Sequence, residues 1–210
     1  PESLAANLRA ADLLRQAEPV ARNEEALEAY RRALRTVKDP QDFRNRWLSL
    51  KEFRRLILDA WNQWRIHGAY AEAIALSELM TPLLPTVQAD ELKARANQYW
   101  AEELEQQLRD APFSEWKSRT AELYKRWRLS GEAYDTLATS LKSSSKFPDA
   151  LWISARQFRR GHDFDRALTQ LTRFINTRPK ELLPDALVSL GEVFMDLDRL
   201  DEALDLFQRV

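Results

Sequence analysis

The chain contains only four glycines, and their positions suggest a repeating unit: Gly68, Gly131, Gly161 and Gly191. The first three each precede an aromatic residue by two or three positions, as expected where one helix turns into the next. Gly191 precedes Ala203 by twelve residues, and Ala155 precedes Ala167 by the same spacing, 36 residues earlier. Self-similarity with such a period is typical of stacked helical hairpins. We therefore predict an all-α fold, a right-handed α-solenoid of antiparallel helical hairpins, with the glycines at its turns.

The composition supports this prediction and excludes several kinds of site. Leu, Ala, Arg, Glu and Gln dominate, all of them good helix formers, and no stretch alternates with the period of two that strands require. Because the 210 residues include no cysteine, disulfides, thiolate metal sites and a cysteine nucleophile are excluded. No apolar run is long enough to span a bilayer, so we expect no membrane insertion by this segment. The chain starts at Pro1 without Met and stops at Val210 inside a helical pattern, so we expect a piece of a longer protein.

Capping and breaking residues divide the chain into helices. Asn23 is predicted to cap the second helix, and Asp39-Pro40 to open a third helix that runs to His67. Gly131 is predicted to separate two helices. The predicted helices cover residues 2–18, 23–38, 40–67, 70–82, 88–109, 114–129, 131–143, 148–160, 164–177, 184–197 and 200–210.

The last two hairpins carry a recognisable motif. Leu190, Gly191 and Phe194 form Leu-Gly-x-x-Phe, and residues 201–204 read Asp-Glu-Ala-Leu. This pattern resembles the tetratricopeptide repeat over 148–210, and a further unit fits near 57–85. The resemblance implies a protein that binds peptides or other subunits in a concave groove lined by the first helices. The Pro-Asp-Ala start of residues 184–186 also resembles repeats of bacterial cell-envelope assembly lipoproteins, which leaves localisation open between the cytoplasm and that envelope.

The domain organisation follows from where the motif is strong. We predict a divergent helical-repeat region over 1–130, which includes the unit near 57–85. Tetratricopeptide-like repeats continue from it over 131–210, with the last repeat truncated. No independent second domain is expected.

The predicted function is that of a non-enzymatic scaffold or adaptor that binds a protein or peptide partner in the groove, without cofactor or metal. Trp152 lies beside Arg156, Arg159 and Arg160, and this set suits a partner with aromatic or acidic groups because Trp and Arg dominate binding hot spots. The repeat register places seven residues on the inner face of the groove: Asn62, Arg65, Trp152, Arg156, Arg159, Ser189 and Glu192.

Catalytic and metal-binding patterns are weaker explanations of the same residues. His67 and His162 each fall at a predicted turn, far from one another in sequence, without the set of partners that catalysis needs. The acidic cluster at residues 196–202 lacks the glycine of a calcium loop and fits carboxylates at a helix N-terminus. No triad order, phosphate-binding glycine loop or zinc spacing is present.

Three alternatives remain open. Basic and aromatic residues alternate over 44–55 and 117–128, a pattern that can bind RNA, although the net charge of −1 argues against nucleic acid as the partner. The chain can instead be a helical domain of a larger enzyme. An Arg-rich segment over 150–178 and an acidic one over 184–210 would also support oligomers formed head to tail.

Overall fold

The structure is a computed structural model that describes residues 2–17, 22–41 and 43–208. Within these residues it contains helices, turns and loops and no strand, which confirms the predicted all-α class. A short 3₁₀ turn at Phe113–Glu115 precedes the sixth helix. The α-helices are α1 Glu2–Arg15, α2 Asn23–Leu34, α3 Leu50–Ile66, α4 Tyr70–Leu79, α5 Thr86–Arg109, α6 Trp116–Ser140, α7 Phe147–Arg160, α8 Phe164–Asn176, α9 Leu183–Asp196 and α10 Leu200–Gln208.

The chain forms two compact units, Pro1–Tyr99 and Trp100–Val210, whose boundary falls inside α5. In the first unit α1 packs on α2, while α4 packs on both α2 and α3. In the second unit α6 to α10 pack in chain order, each on the next, as helical hairpins do. The division predicted at residue 130 separates a region with a divergent repeat motif from one with a clear motif. It does not concern compact units, and it stays a prediction.

The core of the first unit is built around Trp64. The indole is 2 % exposed, and its ring meets Tyr30 edge-on with 5.5 Å between centroids. Its Nε1–H donates a 2.9 Å hydrogen bond to Oδ1 of Asn23. Asn23 was predicted to cap α2, and this is wrong: Arg22 holds the cap position without a side-chain bond, and Asn23 is the first helical residue. The Asn23 side chain is oriented by the indole instead.

The predicted helix start at Asp39-Pro40 is also wrong. The Asp39 carboxylate accepts the backbone N–H of Gln41 at 2.8 Å, so it closes a local turn rather than a helix end. Helix α3 begins directly after Ser49, whose hydroxyl accepts the backbone N–H of Glu52 at 3.1 Å. An aspartate side chain can accept backbone N–H groups either at a helix N-terminus or in a local turn, and here it does so in a turn.

Two of the four glycines lie inside helices and not at turns. Gly68 adopts a left-handed φ of 73° two residues after α3 ends, and Gly161 directly follows α7, as predicted. Gly131 lies within α6, so the predicted break there is wrong, and Gly191 lies within α9. A Cβ at Gly131 would be 2.8 Å from the ring of Phe158, so this glycine lets α7 approach α6 closely. A Cβ at Gly191 would meet the ring of the α10 phenylalanine at 2.6 Å in the same way.

The 36-residue register of the last two hairpins holds in three dimensions. Both α7 and α9 begin with a proline in the first turn, at Pro148 and Pro184. Ala155 and Ala167 are buried between α7 and α8, and Ala203 is buried in the equivalent place on α10. The small side chains allow close packing within each hairpin, and the resulting apolar cluster joins α7, α8, α9 and α10.

Tyr30 links α1 to α2 and gives the first unit a pH dependence. Its hydroxyl donates to Oδ1 of Asp12 at 2.6 Å and accepts from Nε of Arg15 at 3.3 Å. Burial and the Asp12 carboxylate raise the pKa of Tyr30 above its ordinary value. The unfolded chain therefore releases this proton at lower pH than the folded chain, so the stability it provides is complete below about pH 10 and falls as pH rises further.

We expect the free energy of unfolding of the wild type to fall by about 1.4 kcal/mol more per pH unit above pH 10 than that of Tyr30→Phe. The phenylalanine cannot titrate and fills the same buried space. Urea unfolding of both proteins at several pH values between 8 and 11.5, roughly spanning the tyrosine range, measures the difference. Parallel curves for the two proteins would contradict the assignment.

Candidate functional site

A cleft in the second unit is lined by three successive helices, α7, α8 and α9. It encloses a volume of about 480 Å³. Its lining residues, which define the α7–α9 cleft, are Ala155, Arg156, Arg159, Arg160, Leu171, Ser189 and Glu192. Ala155 and Leu171 are buried and form an apolar floor, and the remaining side chains, which are charged except for Ser189, form the rim.

The periodicity of α7 accounts for this arrangement. Ala155 and Phe158 face the apolar cluster. Arg159 and Arg160 follow Arg156 at three- and four-residue spacings, which place each of them on the same helix face as Arg156. The Ala155 side chain is too small to fill the space between this face and α9. The result is an open space with an apolar floor and arginine side chains at its rim.

Arg159 connects α7 to α9. Its guanidinium forms an ion pair with Glu192 and donates from Nε to Oδ2 of Asp196 at 3.0 Å. The side chains are about one-third exposed, so each pair contributes only about 0.2–1 kcal/mol to stability. The main effect is on geometry, because two carboxylates hold the guanidinium in one orientation on the rim.

Arg160 is also held by other residues of the unit. Its guanidinium carbon lies 3.7 Å from the centroid of the Trp127 ring, and the group forms an ion pair with Glu105 of α5. Arg156 is exposed and, within the described residues, makes no ion pair or side-chain hydrogen bond. Arg156 is therefore the cation of the cleft that is available to a ligand.

Four of the seven predicted groove residues converge at this cleft. Arg156 and Arg159 come from α7, and Ser189 and Glu192 come from α9. Trp152 lies one turn before Arg156 but is half-buried, with its ring 5.2 Å from that of an α8 phenylalanine, Phe174. It packs in the apolar cluster beneath the cleft.

The other two predicted residues belong to the first unit. Nη2 of Arg65 donates to Oδ1 of Asn62 at 2.8 Å, and the Arg65 guanidinium carbon lies 4.9 Å from the centroid of the Tyr99 ring. Both side chains are half-buried on α3. Asn62 and Arg65 therefore do not line the α7–α9 cleft, and their role as groove residues stays a prediction.

The sequence analysis missed the floor of the cleft. Leu171 lies on α8, the second helix of its hairpin, whereas the resemblance assigned the binding surface to first helices. Ala155 was noted as a helix-packing residue and not as a lining residue. In the sequence, the small size of Ala155 beside the larger residues of α7 was the sign that space is left at this position. Leu171 had no such sign.

The basic and aromatic segments proposed for RNA have little free charge in the second unit. Arg126 pairs with Glu122 and lies 3.3 Å from the centroid of the Trp100 ring, and Arg119 pairs with Glu115. Of the two aromatic residues of this segment, Trp127 is 1 % exposed and therefore cannot stack on a base, and Tyr124 is half-buried with its ring stacked on His162. Arg128 donates to the Gly161 carbonyl at 2.8 Å, so Arg119, Arg126 and Arg128 are all bound within the chain, and the segment offers little free positive charge to nucleic acid.

The histidines and the acidic cluster have structural surroundings. His67 ends α3, and His162 follows α7 with its ring stacked on Tyr124, 4.0 Å between centroids. Glu202 forms an ion pair with Arg199, and this hydrogen-bonded guanidinium lowers the pKa of Glu202. No group of three or more potential metal ligands occurs in the described residues. No helix in that part of the chain has both the length and the apolar character needed to cross a membrane.

The comparisons with known proteins find similarity among solved structures and not among families or curated proteins. No family model matches the sequence, and no curated protein matches it. The crystal structure of a tetratricopeptide repeat protein from Parabacteroides merdae is similar at 12% sequence identity and a TM-score of 0.33, over 100% of this chain and 79% of that chain. The hairpins of this chain are consistent with such repeats, and the description of its fold rests on its own helices.

Proposed function

We propose that the chain is a tetratricopeptide-like, non-enzymatic scaffold that binds an extended segment of a partner protein in the α7–α9 cleft. The observation that carries the proposal is the unpaired guanidinium of Arg156 above an apolar floor formed by Ala155 and Leu171. Arginine is enriched among binding hot spots, and a ligand that covered the cleft would remove this guanidinium and the apolar floor from water together.

The chemistry of the cleft favours a segment with an acidic residue next to an apolar one. Arg156 offers a planar fork of donors that matches a carboxylate. Leu171 and Ala155 offer a place for an apolar side chain next to that carboxylate. The volume of about 480 Å³ accommodates a few side chains and not a whole helix, which supports an extended ligand.

Glu192 contributes to specificity in the same proposal. Its carboxylate holds Arg159 in place, and it lines the same cleft as Arg156, so it adds negative charge to the rim. A ligand with two carboxylates close together would be repelled by Glu192, whereas one with a single carboxylate would not. We therefore expect selection for a single acidic residue and not for an acidic tract.

Site-specific photo-crosslinking in the cells of origin tests this function. A benzoylphenylalanine at position 189 lies in the cleft, and the same group at Thr172 is exposed on α8 and serves as the control position. We expect a crosslinked partner from position 189 and not from 172. Sequencing of the crosslinked peptide should give an acidic residue beside an apolar one.

The charge-reversing substitution Arg156→Glu should reduce this crosslink by about tenfold or more, because a carboxylate ligand then meets a like charge. Arg109→Glu makes the same change at an exposed arginine of the same unit outside the cleft, and it should leave the crosslink unchanged. Equal crosslinking in both variants, with the helical content preserved, would rule out the cleft as the binding site.

A further inference from the structure

The segment between α2 and α3 concentrates positive charge in the first unit. Residues 35–51 contain five basic and two acidic residues, in a chain whose net charge is −1. All five basic side chains are exposed, and so is a tryptophan among them. These six residues define the basic loop: Arg35, Lys38, Arg44, Arg46, Trp47 and Lys51.

The cations of the basic loop are not neutralised by carboxylates of the chain. Within the described residues, none of the five forms an ion pair, and the Arg44 guanidinium donates to two backbone carbonyl oxygens, at 2.9 and 3.0 Å. The arginines on either side of the loop are different, because Arg31 pairs with Glu28 and Arg55 pairs with Glu52. The positive charge is therefore available to an anionic ligand in the loop itself.

Apolar residues of the same segment anchor the loop on the core. Val37 is buried, and the ring of Phe43 packs on that of Phe53 with 5.9 Å between centroids. Leu48 and Leu50 pack against the same apolar core. Because these side chains point into the core, the charged side chains between them are left on the solvent side.

Trp47 adds an exposed ring to this charge. The residue is 65 % exposed, and its backbone N–H donates to Oδ1 of Asn45 at 2.8 Å. The guanidinium carbon of Arg46 lies 5.0 Å from the centroid of the indole. Residues 44–51 span at most about 25 Å even when fully extended, so one strand of ligand can reach the ring and three of the cations together.

Single-stranded nucleic acid matches both features, because its phosphates pair with cations and its bases stack on an exposed ring. An anionic bilayer fits less well: Trp47 is the one largely exposed apolar side chain among the described residues of the segment, and binding to a membrane surface also needs apolar area. The net charge of −1 does not oppose this ligand, because exposed charges farther away than the Debye length of about 10 Å are screened at an ionic strength of about 0.1 M.

We propose that the basic loop binds single-stranded nucleic acid, with its cations on the phosphates and Trp47 stacked on a base. The segment over 117–128, which has the same kind of sequence pattern, differs because its arginines are bound within the chain. The basic loop belongs to the first unit and the α7–α9 cleft to the second, so this proposal does not depend on the function proposed for the cleft.

Fluorescence anisotropy with the intact chain and three labelled strands tests the proposal. The probes are oligouridine, oligothymidine and an abasic strand with the same number of phosphates, each about 12 nucleotides long, within the usual site sizes of single-strand binding proteins. We expect the strands with bases to bind about fivefold or more tightly than the abasic strand, the effect of one stacked base. A difference between oligouridine and oligothymidine would report recognition of the 2′-hydroxyl group.

Two tryptophan variants locate the stacking. Trp47→Ala should weaken the binding of oligouridine by about fivefold or more and leave the abasic strand unchanged. Trp116→Ala makes the same change at an exposed tryptophan of the second unit and should alter neither. An equal loss for both strands in Trp47→Ala would contradict stacking on a base.

Two pairs of lysine substitutions locate the phosphate contacts. Lys38→Glu combined with Lys51→Glu should weaken all three strands and make the plot of log K against log salt shallower by about 1.4, the contribution of two phosphate contacts in a single strand. Lys142→Glu combined with Lys180→Glu makes the same change at exposed lysines of the second unit and should leave binding unchanged.

Other outcomes would overturn the proposal. Equal affinity for oligouridine and the abasic strand would show a general attraction to anions, and no binding of any strand by a chain with normal circular dichroism would remove the site. Binding to phosphatidylserine vesicles without binding to the oligonucleotides would identify an anionic membrane as the ligand instead. Arg156→Glu should leave oligonucleotide binding unchanged, so failure here is separate from failure of the proposed function.

Discussion

Replacement of Trp64 by alanine is expected to lower the free energy of unfolding of the first unit by about 3–5 kcal/mol. The indole is 2 % exposed in the apolar core of that unit, packs edge-on against Tyr30 and donates to Asn23. Its removal leaves a cavity that the surrounding helices cannot fill, and it also removes the contact that orients the first residue of α2. Urea unfolding followed by circular dichroism, fitted with a separate transition for each unit, measures the loss.

Two variants separate the parts of this effect. Trp64→Phe keeps most of the ring and loses the hydrogen bond to Asn23, so we expect a smaller cost of about 1–3 kcal/mol. Trp47→Ala removes the same side chain at a position that is 65 % exposed, where the change should stay within about 0.5 kcal/mol. A cost at Trp47 as large as that at Trp64 would mean that the core of this unit is not where the structure places it.

The sequence predicted helices best where the determinants are local. The helices of residues 147–208 agree with the prediction to within about two residues at each end, because prolines, glycines and apolar periodicity all act within one or two turns. The same local rules were wrong at Asp39-Pro40, where the aspartate closes a turn onto Gln41. In a helix cap and in a local turn alike, the aspartate carboxylate accepts a nearby backbone N–H, so the sequence does not distinguish the two structures.

The break predicted at Gly131 was wrong for a different reason. Glycine is common at helix ends, but it is also required wherever another helix comes too close for a Cβ. At this position the determinant is the ring of Phe158, on the next helix. Tertiary packing of this kind leaves no signal in the residues that flank the glycine.

The candidate site was predictable in outline but not in its electrostatics. The 36-residue register brought Arg156, Arg159, Ser189 and Glu192 together, and the structure places all four around one cleft. Which arginine is available depends on Glu105, Asp196 and Trp127, residues that lie on three other parts of the unit. The proposal that Arg156 binds the ligand therefore depends on the structure and not on the sequence alone.

Substitution of Gly131 by valine is expected to destabilise the second unit by about 1–3 kcal/mol or more. The first added carbon would already lie 2.8 Å from the buried ring of Phe158, and the branched methyl groups would enter the same space. The displacement of α7 would also strain the 2.8 Å hydrogen bond from the Ser154 hydroxyl to the Gly131 carbonyl. Urea unfolding of the second unit measures the change.

A double-mutant cycle decides whether the close contact with Phe158 is the cause. Gly131→Ala gains helix propensity of about 1 kcal/mol, which by itself would stabilise α6, so a net loss in this variant must come from the contact. Phe158→Leu removes ring atoms from the site and should convert the cost of Gly131→Ala into a smaller cost or a gain. We expect a favourable coupling of about 1 kcal/mol or more between the two substitutions, as is usual for residues in contact. If the two changes instead add to within about 0.5 kcal/mol, as independent sites do, close packing of α6 on α7 is not the reason for the glycine.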